Sequence, residues 1–254
     1  IMSVVLMYHD VFTRDKKESG FQAVGAVPYK ISVEDFEKQL IAIRDYCEYN
    51  RVSKEAVNLT FDDGGVSFYT VISDILEKYG FKGVFFISTA YVGTDGFLSR
   101  EQIKILAERG HEIGAHSHTH PSLNDASKMK EQELLDEWVT SIKYLNEILN
   151  YSITSVSLPN GFCSKTTLKS IAECGIKQVY TSTATTKRKY WNGIEMIGRY
   201  AIQDGMSPEH VLSIVNNPIV RMKLRIKNSM LSIVKFILGN CYSKFKKWLL
   251  LRRK

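Results

Sequence analysis

The sequence predicts an α/β fold built on a parallel sheet, and three observations carry that expectation. Short apolar runs alternate with longer segments whose apolar residues recur at helical spacing, which argues against an all-β or all-α chain. The residues with the most chemical potential come directly after the strand-like runs, where functional side chains gather in (β/α) barrels. The 254 residues are 44% hydrophobic and 24% charged, enough to bury one large core in a single catalytic domain.

Taken in order, Val4–Tyr8 is short and apolar and reads as the first strand. Val33–Tyr46 reads as a helix, with Phe36, Leu40, Ile43 and Cys47 at helical spacing and Ser32 as its N-cap. Val57–Phe61 gives the next strand, Ser67–Tyr79 a helix and Gly83–Ile87 a strand. Ser99–Arg109 is a helix capped by Ser99 and closed by Gly110, followed by strand Glu112–Ala115. A long helix near Lys128–Leu149 precedes strand Ser152–Leu158, helix Lys165–Cys174, strand Lys177–Thr181 and a final strand near Met196–Ile202. No internal repeat or low-complexity tract interrupts the pattern.

Two motifs stand out. Thr60-Phe61-Asp62-Asp63-Gly64 places adjacent carboxylates at a glycine turn, and His116-Ser117-His118-Thr119-His120 holds three of the chain's six histidines. Taken alone, Asp-Asp-Gly is commonly a turn, and a histidine cluster is commonly a solvated loop. Together, two imidazoles and a carboxylate form the donor set of a hydrolytic divalent metal site with an open position for water. Side chains of neighbouring residues in extended chain diverge, so one aspartate can bind metal while the other faces the attacking water.

These residues resemble the polysaccharide deacetylases built on the NodB homology domain, carbohydrate esterase family 4. The first family motif, Thr-Phe-Asp-Asp-Gly, stands unchanged at 60–64, and the second, His-Ser/Thr-x-x-His, is matched by His116, Ser117 and His120. Pro159-Asn160-Gly161 matches part of a third. Leu6-Met7-Tyr8-His9-Asp10, Tyr29-Lys30-Ile31-Ser32 and Phe36-Glu37-Lys38-Gln39-Leu40 are similar to the exopolysaccharide-modifying branch, so the resemblance covers residues 3–205. It implies a distorted (β/α) barrel of about seven parallel strands and hydrolysis of N-acetyl groups on amino sugars. It further implies Asp63, His116 and His120 as metal ligands, Asp62 as catalytic base, and a backbone N–H near Asn160 as oxyanion donor. Zinc is the default from ligand chemistry, and cobalt or nickel suits the same donors.

The chain also departs from the family pattern. Ser157 stands where the third motif carries an arginine, and Arg199 is the candidate substitute. The later Leu-x-His motif, whose histidine is the general acid, has no match, because His210 is the only histidine after His120 and sits on an expected helix. His9 is then the candidate proton donor, with a buried structural histidine as the alternative, while His118 should point away from the ligands. Trp191 is either a sugar platform or a packing residue. The leading function is metal-dependent N-deacetylation of a polysaccharide, oligosaccharide or lipid-linked glycan precursor. The alternatives are a related C–N hydrolase acting on a non-sugar amide or formamide, and an impaired glycan-binding barrel.

Cys47, Cys163, Cys174 and Cys241 show no paired spacing, so neither a zinc knuckle nor a disulfide framework is expected. Ile1 to Met7 lacks the pattern of a signal peptide, and the expectation is a cytoplasmic protein. Residues 1–217 are read as the catalytic domain and 218–254 as a basic amphipathic tail. From Arg221 to Lys254 there are eleven Lys or Arg and no Asp or Glu, so the tail carries +11 and the rest of the chain nets −4. Met230, Val234, Ile237, Cys241, Phe245, Trp248 and Leu249 fall near one helical face. The tail is too interrupted by lysine to span a bilayer and suits an anionic membrane surface on the cytoplasmic side. Nucleic-acid binding is not expected, because the positive charge is confined to the tail and no groove-reading motif accompanies it.

Overall fold

The computed structural model of the chain describes residues 3–238, with side chains for residues 3–230. Of the expected apolar face of the tail, Cys241, Phe245, Trp248 and Leu249 lie outside the described residues, as do the side chains of Val234 and Ile237.

Strand β1 (Val4–Tyr8) is followed by β2 (Val11–Phe12) and β3 (Ile31–Ser32), which pair with each other in a separate two-stranded sheet. Helix α1 (Val33–Tyr49) starts at Ser32, whose side chain accepts from Asp35 N. β4 (Val57–Phe61) leads through a π-helical turn at Phe68–Ile72 into α2 (Ser73–Lys78). β5 (Gly83–Ile87), α3 (Arg100–Glu108) and β6 (Glu112–Ala115) follow, with a capping box between Ser99 and Gln102 opening α3. After α4 (Leu123–Ala126) and α5 (Glu131–Leu149) come β7 (Ser155–Ser157), α6 (Lys165–Glu173) and β8 (Gln178–Tyr180). β9 (Lys189–Trp191), β10 (Ile194–Ile197) and β11 (Tyr200–Ala201) precede α7 (Pro208–Asn216) and α8 (Pro218–Leu238).

The main sheet runs β11-β1-β4-β5-β6-β7-β8-β10-β9, parallel except for the β9–β10 pair. The expected last strand, Met196–Ile202, is in fact two. Met196 pairs with Val179 on β8, whereas Tyr200 pairs with Leu6 on β1, and only Gly198 and Arg199 lie between the two strands. The two ends of the parallel sheet are therefore brought within two residues of each other, and the sheet curls into a barrel with a seam at Gly198-Arg199. A side chain at 198 does not fit there, since an added Cβ would lie 2.5 Å from Thr183 O.

Side-chain alternation sorts the core into two parts. Val4, Leu6, Tyr8, Leu59, Phe61, Phe85 and Ile87 point outward into a large cluster under the helices. Val5, Phe86, Tyr180 and Ile197 form a smaller cluster inside the barrel. Phe86 on β5 and Tyr180 on β8 have ring centroids 4.9 Å apart. Three strand spacings on a flat sheet would separate them by about 14 Å, so their contact requires the curl. Gly114 on β6 makes room, because a Cβ there would lie 2.5 Å from the Phe86 ring.

Candidate metal centre and active site

Along β4 the outward Val57, Leu59 and Phe61 leave Asn58 and Thr60 facing the barrel interior, and Asp62, directly after the strand, continues that face. The interior is where Arg199 arrives from the seam. Its guanidinium, 1% exposed, donates from Nη1 to Asp62 Oδ1 at 2.7 Å and from Nη2 to Asp62 Oδ2 at 2.8 Å. The remaining donors reach Thr60 Oγ1 (3.1 Å), Ser157 Oγ (2.7 Å) and Thr181 O (3.2 Å), so all five N–H groups of the fork are matched. Ser157 passes its own hydrogen to Asp62 Oδ2 at 3.0 Å. The arginine missing at 157 is thus replaced in space by Arg199, with the serine bridging the two. Burial alone would push the Asp62 carboxyl up, but the Arg199 charge and then that of His116 outweigh it and hold Asp62 below the usual carboxylate range.

Asp63 turns away from Asp62 because the backbone leaves the strand in the left-handed region, with φ 88° at Asp63 and 91° at Gly64. Its Oδ1 lies 3.4 Å from His116 Nε2 and 3.4 Å from His120 Nε2. One ligand atom from each of Asp63, His116 and His120 falls within 4.8 Å of the others. Burial opposes the charged form of Asp63, yet the two imidazoles beside it, His116 before His120, hold it well below its ordinary value. The structure therefore brings together the three residues expected as ligands.

The His116–His120 loop is itself strained and braced. Ser117 (φ 61°) and His120 (φ 53°) both occupy the left-handed region. Helix α5 supports them: buried Glu137 accepts from His118 N (3.0 Å), Thr119 N (2.9 Å) and Thr119 Oγ1 (2.7 Å), and Ser141 Oγ donates to Ser117 O at 3.0 Å. On the other side Ala90 N donates to His118 O at 2.9 Å. His118 is held aside by Thr89 Oγ1, 2.9 Å from its Nδ1, and is not one of the clustered ligand groups. Nothing in the local sequence signals Glu137 or Ser141, which act from helical positions far along the chain.

The donor chemistry fits a divalent cation. His116 Nδ1 donates to Ser157 O at 2.9 Å, a carbonyl that can only accept, so the neutral ring carries its lone pair on Nε2. That lone pair faces Asp63 Oδ1, another acceptor, and an arrangement of this kind needs a shared positive charge. Burial works against a protonated His116, but Asp62 and Asp63 outweigh it and raise its pKa, which expresses the same demand.

The remaining expected residues are placed less tightly. His9, at the end of β1, is half-buried against Tyr29 (ring centroids 4.6 Å apart), and its Nδ1 is buried with no hydrogen-bond partner. Its charge is among those lowering both Asp62 and Asp63, after the stronger effects named above. Asn160 is exposed at φ 54°, and its Nδ2 donates to Pro121 O at 3.2 Å. In the same turn Gly161 N and Phe162 N donate to Leu158 O and Pro159 O, which leaves the Asn160 N–H as the donor this turn has to offer. Trp191 packs half-buried against the main core on β9, and His210 is exposed on α7.

Comparison with known proteins agrees with this geometry. The family model described as polysaccharide deacetylase matches residues 49–179. The chain is 29% identical over 143 residues to a peptidoglycan-N-acetylglucosamine deacetylase of Bacillus cereus, covering 56% of this chain and 48% of that protein. It is 30% identical over 152 residues to the peptidoglycan-N-acetylmuramic acid deacetylase PdaA of Bacillus subtilis, covering 57% and 53%. The chain thus spans about half the length of these curated relatives. Among solved structures, the Streptococcus pyogenes deacetylase PplD in complex with acetate superposes with a TM-score of 0.70 at 25% identity, covering 84% of this chain and 98% of that one. IcaB from Ammonifex degensii shares the fold with a TM-score of 0.66 at 24% identity, covering 84% and 96%. The family match runs from α1 to β8 through both metal-site motifs and takes in more than half of the chain, which therefore belongs to the polysaccharide deacetylase family.

Proposed function

We propose that the protein is a metal-dependent hydrolase that removes N-acetyl groups from amino sugars of a glycan, either a polymer or oligosaccharide or a lipid-linked precursor. One observation carries this reading: an ionised, buried Asp62 stands beside the Asp63, His116, His120 cluster, with its Oδ2 3.9 Å from His116 Nε2. A divalent ion of the zinc type held by those three residues would polarise the amide carbonyl and acidify a water. Asp62 takes the proton of the attacking water, and Arg199 and Ser157 fix the orientation of its carboxylate. The Asn160 N–H donates to the developing oxyanion. His9, at the rim beside Asp62 and Asp63, delivers a proton to the leaving amine.

The relatives named above are deacetylases of peptidoglycan amino sugars, which supports an acetamido sugar as the substrate class. The alternative of an inactive glycan-binding barrel rests on the missing motif arginine and the missing general-acid motif, and the Arg199–Asp62 pair answers the first of these. The test is acetate release from N-acetylglucosamine oligomers, peptidoglycan fragments and lipid-linked N-acetylated sugars by metal-stripped and zinc-restored protein. Turnover that appears only with metal, and that Asp62→Ala abolishes, is the expected result. Absence of acetate from every N-acetylated sugar would overturn the reading.

A further inference from the structure

Helix α8 has two apolar faces, and among the described residues only one is covered. Val220 and Leu224 pack against the core and share a face with half-buried Asn228. Ile219, Met222, Ile226 and Met230 recur at steps of three, four and four residues and are 58%, 56%, 51% and 63% exposed. At about 100° per residue they form a stripe roughly 80° wide on the opposite side of the helix. Arg225 lines one edge of the stripe and Lys223 and Lys227 the other. No Asp or Glu follows Glu209 in the chain, so this basic border is not offset by neighbouring acids in sequence.

Single exposed apolar side chains need no explanation, but a row of four between two basic edges does. Another copy of the same helix would set like charges against each other along both edges, which disfavours self-association. An anionic bilayer offers an apolar boundary for the stripe and negative headgroups for its borders. No helix among the described residues is long and apolar enough to cross a membrane, so α8 would lie on the surface rather than span it.

We propose that α8 docks the protein on an anionic lipid bilayer, with Ile219, Met222, Ile226 and Met230 entering the headgroup boundary and Lys223, Arg225 and Lys227 meeting its negative charge. Helix α7, which precedes α8, starts beside the loops that follow β1, where Asp204 N donates to Pro28 O and the Asp204 carboxylate pairs with Lys16.

The experiment is co-sedimentation of the full chain with vesicles of phosphatidylcholine alone and of phosphatidylcholine mixed with phosphatidylglycerol, at low and high salt, with light scattering of the free protein. Binding to the anionic vesicles that salt weakens is expected. Met222→Glu with Ile226→Glu should weaken it about tenfold or more, and Lys223→Ala with Lys227→Ala about tenfold. Both pairs lie on exposed positions, and unchanged thermal melting would show that the fold is intact. If the glutamate pair misfolds, Met222→Ser with Ile226→Ser takes its place. Failure to bind anionic vesicles, equal binding to neutral ones, or full binding by a folded stripe variant would each overturn the proposal. So would a wild-type dimer that the stripe variants dissolve, because the stripe would then be an interface between copies.

Discussion

Arg199 shows how much of this site depends on single hydrogen bonds. All five of its N–H groups are matched inside the barrel, and two of them hold the Asp62 carboxylate. Arg199→Met would leave a buried carboxylate unpaired, a change that costs about 3–5 kcal/mol. Urea unfolding should show that loss, while Arg199→Lys, which keeps the charge but not the fork, should fall between wild type and Met. The proposed metal ligands and the proposed base should separate cleanly. Alanine at Asp63, His116 or His120 should each strongly reduce bound zinc, measured by elemental analysis, whereas Asp62→Ala should keep its metal and lose turnover. Full occupancy in a His116→Ala, His120→Ala double variant would sink the ligand assignment. His9→Ala should leave metal content unchanged and lower kcat, and an unchanged kcat would remove His9 from the reaction.

Among the elements, α5 braces the His116–His120 loop through the Glu137 carboxylate and the Ser141 hydroxyl. Glu137→Ala removes three hydrogen bonds from the strained His118–Thr119 segment and should weaken zinc binding about 10–100-fold, read by competition with a chelator. Strand β6 opens on a different dependence. His111, buried, accepts from Gly83 N through Nδ1 at 3.1 Å, so Nε2 carries the proton toward Glu77 Oε1 at 3.2 Å, and burial lowers its pKa to about 4. A histidine depressed in the folded state favours folding above its ordinary pKa of about 6.5. That contribution declines as pH falls from there toward about 4, a loss of up to about 3 kcal/mol. Melting temperatures of wild type and His111→Asn between pH 7 and pH 4 should therefore converge as the pH falls. Helix starts at Ser32 and Ser99 were legible in the sequence because capping is local, and so was the clustering of Asp63, His116 and His120, which lie in two short motifs. The hairpin of β9 and β10 also carried a signal, the Asn192-Gly193 pair, with φ 46° and 83° as a tight turn demands. The break at Gly198 was not legible, because one apolar run continues across it and its two halves choose partners at opposite ends of the sheet. Ser157 and Arg199 could be matched from the sequence only as candidates, because the arginine arrives from 42 residues downstream.

At the scale of the whole molecule, the boundary between barrel and tail is less sharp than charge suggests. Val220 and Leu224 pack on the core, and Arg221 Nη1 donates to Ile214 O and Val215 O, closing the C-terminal end of α7. Truncation after Asn217 should therefore lower the melting temperature as well as remove charge, whereas truncation after Asn228 should spare it, and calorimetry of the two would separate these effects. The seam at Gly198-Arg199 has its own consequence for how the molecule comes into being. β1 acquires its second neighbour only when Tyr200 reaches Leu6, a contact spanning nearly the whole barrel sequence. During synthesis Asp63, His116 and His120 are all made long before Arg199. A nascent chain can thus hold the proposed ligands early, but the proposed base, Asp62, lacks its arginine until the barrel shuts, so on the proposed function hydrolytic competence would begin at the moment of closure.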